Sequence, residues 1–109
     1  MHREIRRYLR NGMLVHLCVF DAIVRLGSYT RAGEALHMAQ PTVSIHMKKL
    51  TDVLGTALIE HDGKHLRVTP QGEKVHAAAQ RIFEVLHALH AELGLSEALT
   101  RGTSALRES

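Results

Sequence analysis

Apolar residues recur at helical spacing in three stretches of the chain and alternate with polar ones in only one. From Met13 to Leu26, Leu17, Phe20, Ile23 and Val24 fall on one helical face, Leu14 and Cys18 widen the stripe, and Gly27 stops the helix. Ser28-Tyr29-Thr30 offers a loop and a cap, and Thr30 with Glu34 nearby predicts a shorter helix through Leu36. Ala32, Gly33 and Ala35 keep that helix slim enough for another to approach closely. His37-Met38-Ala39 reads as a tight turn, and Gln40-Pro41 restarts the chain with proline suited to a first helical turn. The third helix extends to Leu54 and closes at Gly55. Val43, Met47, Leu50 and Leu54 form its expected buried seam, while Thr42, Ser44, Ile45, His46, Lys48 and Lys49 lie opposite.

The pattern then changes period. Ala57–His61 and His65–Thr69 flank an Asp62-Gly63-Lys64 step, which predicts a β-hairpin. Thr69-Pro70 supplies a cap and first residue for a long helix to about Leu93. Along it Val75, Ala79, Ile82, Leu86, Leu89 and Leu93 step 4-3-4-3-4, a heptad seam over nearly three repeats. Gly94 ends the helix. Residues 95–109 show no periodicity and read as a hinge.

Ahead of the first long helix, residues 1–12 form a basic arm with Arg3, Arg6, Arg7 and Arg10. The arm is expected either to extend that helix or to remain a loose, solvated tail, and arms of this kind can touch phosphates.

The formal net charge is +3 with histidines neutral. Lys and Arg outnumber Asp and Glu eleven to seven through Lys74 but trail three to four beyond it, so the basic surplus lies with the first elements. An anionic partner is favoured there. Cys18 is alone, so no intramolecular disulfide forms, and it is expected as a small buried hydrophobe. Without a signal-peptide pattern or a membrane-length apolar run, the expected location is the cytoplasm.

Helix, helix, tight turn, helix, hairpin and long helix make a mainly α winged helix-turn-helix, a three-helix core plus a hairpin wing, followed by a dimerisation helix. The domain spans 13–69, with the helix-turn-helix at about 29–48, and the linker helix spans 70–94. In such a fold the third helix enters the major groove of duplex DNA and the hairpin lies over the flanking backbone. Gln40, Thr42, Ser44, Ile45 and His46 are the candidates for base contact, with Pro41 beside them in the candidate DNA-binding set. Arg31, Lys48, Lys49, Lys64, His65 and Arg67 are the candidates for phosphate and wing contact.

Residues 14–72 resemble the DNA-binding domain of LysR-type transcriptional regulators. The likeness rests on Leu17, Phe20, the run Gly27–Ala32, Ala35-Leu36-His37, the run Gln40–Ser44, Lys48-Lys49-Leu50, Leu54-Gly55, Leu58, Val68-Thr69 and Gly72. It implies a homodimer paired through the long helix, with Val75, Ala79, Ile82, Leu86, Leu89 and Leu93 at the pairing seam. It also implies an interrupted inverted repeat as target, and leaves dimer or tetramer open for a full-length protein. Family members usually continue into a larger effector-binding domain. The chain is therefore expected to be a fragment or a naturally short regulator, with any small-molecule effector bound elsewhere. The stretch from Glu60 to Lys64 resembles regulators of carbon-fixation operons in particular.

Several positions depart from the family pattern. Gly33 stands for a usual Ala and should loosen its helix by about 1 kcal/mol. Ala39 stands for Ser or Thr and removes a side-chain cap, at a similar cost of about 1 kcal/mol. Ile45 replaces a basic or polar residue and could meet a thymine methyl. Thr51 replaces Glu, and Ile59 and His61 replace Phe and Arg.

No metal, cofactor or catalytic residue is expected. His87 and His90 lie three apart but lack a third ligand, and no phosphate loop or nucleophile–base pair is present. The alternative function is a winged-helix protein-interaction module, which an acidic or apolar third-helix face would favour; this face is polar and basic.

Overall fold

The computed structural model describes residues 2–95. They form α1 (Arg3–Arg10), α2 (Met13–Leu26), α3 (Tyr29–Leu36), α4 (Gln40–Leu54), β1 (Ile59–Asp62), β2 (His65–Val68) and α5 (Pro70–Glu92). The hinge expected at 95–109 lies, but for Leu95, outside the described residues. The chain divides into two compact units at Ala79, so α5 contributes its first turns to one unit and the rest to another.

In the first unit, α2 is packed on almost all sides. Leu17, Val19, Phe20, Ala22 and Ile23 are buried, and Val43, Met47, Leu50, Val53 and Leu58 close around them from α4 and the loop before β1. What remains of α2 for solvent is one strip holding Leu14, Val15, Cys18 and Arg25. The expected broad stripe through Leu14 and Cys18 is therefore displaced: both are exposed. On α4 the last buried position is Val53, and Leu54 is only half-buried. The seam turns by one residue because successive steps of 3 and 4 only approximate a 3.6-residue turn.

Two polar residues are buried in α2, His16 and Asp21. Asp21 accepts from Arg25 Nε at 2.9 Å and meets His76 Nε2 at 2.9 Å, which joins α2 to the start of α5. The His76 ring also stands edge-on to Phe20, with centroids 6.0 Å apart. A buried carboxylate costs solvation, and these two partners offset that cost while fixing the register of α5 on α2.

Local chemistry sets the helix ends. Within the Ser28-Tyr29-Thr30 stretch it is Ser28 that caps α3: its side chain accepts from Arg31 N at 3.1 Å, and the helix starts at Tyr29, one residue earlier than expected. His37 ends α3 in the left-handed region at φ 56°. Gly33 faces the turn that follows. A Cβ there would lie 2.6 Å from the Met38 carbonyl oxygen. The glycine expected to loosen α3 thus permits a close turn, held by Met38 N–H donating to Gly33 O at 2.8 Å.

Ala39 occupies the cap position of α4 with extended backbone and no side-chain bond. Ala39→Ser should therefore stabilise the domain by about 1 kcal/mol. Thermal melting checks this, and an unchanged or lower Tm would show that the α4 amides are already satisfied.

The hairpin pairs Ile59 with Val68, Glu60 with Arg67, His61 with Leu66 and Asp62 with His65. Gly63-Lys64 forms the two-residue turn, with Gly63 at φ 64°. Thr69 joins the hairpin to α5. Its hydroxyl donates to Ala57 O at 2.7 Å and accepts from Gly72 N at 2.9 Å, and its N–H donates to Leu58 O at 3.0 Å.

The basic arm is neither a loose tail nor an extension of α2. It folds as α1, a separate helix, because Gly12 turns the chain at φ 71°. Asn11 closes α1 by donating its side-chain amide to Arg7 O at 2.8 Å.

Candidate nucleic-acid interface

Helical geometry sorts the α4 side chains. Val43, Met47, Leu50 and Val53 point into the core. Gln40, Ser44 and Lys48, four residues apart, form one edge of the outer face. Pro41, Ile45, Lys49 and Thr42 fill the rest, all exposed. The edge residues border a groove completed by the α2–α3 corner at Ser28 and Tyr29 and by the wing at His61, Lys64 and Leu66. Tyr29 and His61 touch across it, with ring centroids 5.8 Å apart. Burial raises the Tyr29 phenol above its ordinary pKa, so it stays neutral and able to donate a hydrogen bond.

Of the residues expected to meet DNA, the groove therefore gathers Gln40, Ser44, Lys48 and Lys64. Arg31, Thr42, Ile45, Lys49, His65 and Arg67 lie outside it. Gln40 Nε2 lies 3.3 Å from Ser44 Oγ, which aligns the two side chains along the edge. Lys48 and Asp52 form an exposed pair at 3.3 Å, and Arg67 and Asp62 a looser one at 4.0 Å. Exposed pairs of this kind contribute little, and either cation can exchange its partner for a phosphate. Lys49 has no ion-pair partner among the described residues.

Sequence reasoning overlooked Ser28, Tyr29 and Asp52 as groove residues. Ser28 and Tyr29 lay within the recognised run but read only as loop and cap. Asp52 carried a usable signal, its i,i+4 spacing from Lys48.

His46 differs from the rest of the α4 set. It is half-buried, and its Nδ1 lies 2.9 Å from Nδ1 of the buried His16 on α2. One ring must donate and the other accept, so the contact fixes the ring orientation of His46. Burial chiefly lowers the pKa of His16; the His46 and Lys49 charges push the same way, while the Asn11 backbone opposes them. A histidine with a depressed folded pKa contributes stability above its unfolded pKa of about 6.5 that is lost as pH falls through that value. The unfolded chain then takes up protons that the folded one refuses. Melting should show a stability loss below about pH 6.5 that is smaller in His16→Gln; equal acid losses in both proteins would assign the effect elsewhere.

On α5, the heptad seam divides. Val75 is half-buried and Ala79 fully buried. Ile82, Leu86, Leu89 and Leu93 remain between 38% and 61% exposed, and Val85 is exposed beside them. Gly94 and Leu95 close the helix, with Leu95 N–H donating to His90 O at 2.8 Å. No group of three or more potential metal ligands occurs among the described residues.

A helix-turn-helix whose second helix presents a polar and basic face beside a hairpin is a winged-helix DNA-binding domain. Residues 14–73 match the family described as bacterial regulatory helix-turn-helix protein, lysR family, and the chain belongs to that family. Among curated relatives, the transcriptional activator CmpR of Synechocystis sp. is 37% identical over 86% of this chain and 31% of its own length. The RuBisCO operon transcriptional regulator of Allochromatium vinosum is 37% identical over 83% of this chain and 30% of its own. The chain thus spans about a third of the length of these relatives. Among solved structures, the BenM DNA-binding domain on its benA site 1 DNA superposes with a TM-score of 0.70 at 28% identity, covering 74% of this chain and 94% of that one. The CbnR DNA-binding domain–DNA complex gives a TM-score of 0.67 at 27% identity, covering 81% and 98%.

Proposed function

We propose that this chain is the DNA-binding part of a LysR-type transcriptional regulator. In this reading it binds duplex DNA as a homodimer, with α4 in the major groove and the hairpin along the flanking backbone. One observation carries the reading: Gln40, Ser44 and Lys48 share an edge of α4 that faces the wing's Lys64 across an open groove, in a chain that matches the family over 14–73. Short polar groups at the start of the helix suit base edges, and Lys48, Lys49 and Lys64 suit phosphates. Family neighbours solved as DNA complexes favour this reading over a protein-interaction module. The relatives named for the RuBisCO operon support a narrower assignment, to a regulator of carbon-fixation genes.

The dimer rests on α5. Ile82, Leu86 and Leu89 continue a heptad seam that stays exposed among the described residues, and a second copy of the helix supplies the matching surface. Two identical reading helices held about a two-fold axis demand an inverted repeat, with the spacing set by the paired α5 helices. A DNA-binding regulator acts in the cytoplasm, and among the described residues no helix is long and apolar enough to cross a membrane.

Selection of bound sequences from a pool of random duplexes tests the proposal. An interrupted inverted repeat should be enriched. Failure to enrich any sequence, with the protein folded and dimeric, would remove the DNA-reading assignment.

A further inference from the structure

The four arginines of α1 share one side of the helix. At 3.6 residues per turn, Arg3, Arg6, Arg7 and Arg10 fall within an arc of roughly 100°, while Ile5, Tyr8 and Leu9 occupy the opposite side. All four arginines are exposed; on the other side Ile5 and Leu9 are exposed too, and Tyr8 alone is half-buried. Among the described residues none of the four arginines makes an ion pair. Like charges at i,i+3 and i,i+4 repel, and here they do so four times over, so an anionic surface along this side would relieve the helix.

The position of α1 says which anion. Its C-terminal end is fixed by Asn11 and turns at Gly12, whose carbonyl accepts from His16 N at 3.2 Å. The His16 ring contacts His46 of α4, and the Lys49 charge reaches it as well. Arg7 and Arg10 therefore sit one corner away from the flank of α4 that carries His46 and Lys49. From the stripe of arginines and this continuity with α4, we infer that α1 is a second phosphate-binding element, gripping the backbone of duplex DNA beside the segment that α4 reads. The inference rests on the DNA-binding reading given above. A helix of eight residues is a short membrane anchor but a sufficient clamp for two or three phosphates.

The test uses the full chain, a duplex carrying the selected site with flanking base pairs, and the same site trimmed of its flanks. In the variant Arg3→Gln, Arg6→Gln, Arg7→Gln, Arg10→Gln, the slope of log affinity against log salt should become shallower by about 0.9 for each phosphate no longer engaged. Affinity at low salt should fall at least tenfold on the flanked duplex and much less on the trimmed one. The matching Arg→Lys variant should keep most of the slope. Melting and circular dichroism verify folding, and if the fourfold variant melts lower, Arg7→Gln with Arg10→Gln carries the test. An unchanged slope, while Lys49→Gln still reduces it, would overturn the role of α1 and leave the DNA reading standing. So would an unchanged slope accompanied by loss of the dimer in sedimentation, or by loss of binding to anionic lipid vesicles. Absence of wild-type binding to every duplex would overturn both.

Discussion

Gly72→Ala should destabilise the domain by about 3 kcal/mol, although alanine is the better helix former. A Cβ at this position would lie 2.2 Å from the Leu58 carbonyl oxygen and 2.8 Å from Val68 Cγ1. Both neighbours are held in place. Leu58 is buried and its carbonyl accepts from Thr69 N, while Val68 is paired in the hairpin. Relief requires the first turn of α5 to move off the hairpin, which strains the Thr69 hydroxyl bonds to Ala57 O and Gly72 N. Overpacking typically costs about 1–3 kcal/mol and occasionally more; against a held backbone oxygen at 2.2 Å the strain reaches about 4 kcal/mol, which the roughly 1 kcal/mol gained from helix propensity reduces to about 3 kcal/mol. For a domain of this size a loss of about 3 kcal/mol lowers Tm by roughly 12 °C or more. The two effects have opposite signs, so a thermal melt decides between them: a raised Tm would mean that the contact between α5 and the hairpin is loose. Because the same contact positions Lys64, DNA affinity should fall as well.

Gln40→Ala should cost about 1–3 kcal/mol of DNA binding, roughly 5- to 150-fold, and relax sequence preference at one base pair. Gln40 is exposed at the first position of α4, and its contact with Ser44 Oγ holds the amide along the groove edge. A primary amide can donate and accept at once, which matches the major-groove edge of adenine. Alanine preserves the helix and removes both groups. Lys49→Gln provides the contrast. It should weaken binding about equally on all sequences and make the salt dependence shallower by about 0.9 for every phosphate released. Competition gel shifts with single-base variants of the selected site separate the two patterns. If Gln40→Ala weakens all sites equally, base reading must be reassigned along α4, with Ser44 and Ile45 as the remaining candidates.

The bounds of α2 and α4 were legible in the sequence because each has a strong apolar period closed by a glycine that adopts positive φ, Gly27 and Gly55. The hairpin was legible from its turn residues, and Thr69-Pro70 marked the start of α5. Most of the outer face of α4 followed from the same periodicity. Features that depend on distant partners were hidden. His16 and Asp21 look misplaced in an apolar helix until His46 and His76, 30 and 55 residues away, supply the contacts. The roles of Gly33 and Gly72 depend on where the carbonyls of Met38 and Leu58 lie, which no local pattern encodes. Cys18 and Leu14 were misplaced because a largely buried helix still keeps one strip for solvent, and hydrophobicity does not show which strip. The basic arm held a signal that went unread: its arginines repeat at 3, 4 and 7, a helical period carried by charge instead of by apolar residues.

Amide hydrogen exchange of the full chain, with and without its selected duplex, addresses the outer face of α4 most directly. Added DNA should slow exchange across residues 40–49 and in the wing around 61–67, and should leave the far end of α5 near its rate in the free protein. Slowing confined to α5, or none at all along α4 under conditions where the duplex is bound, would contradict the claim that this helix does the reading.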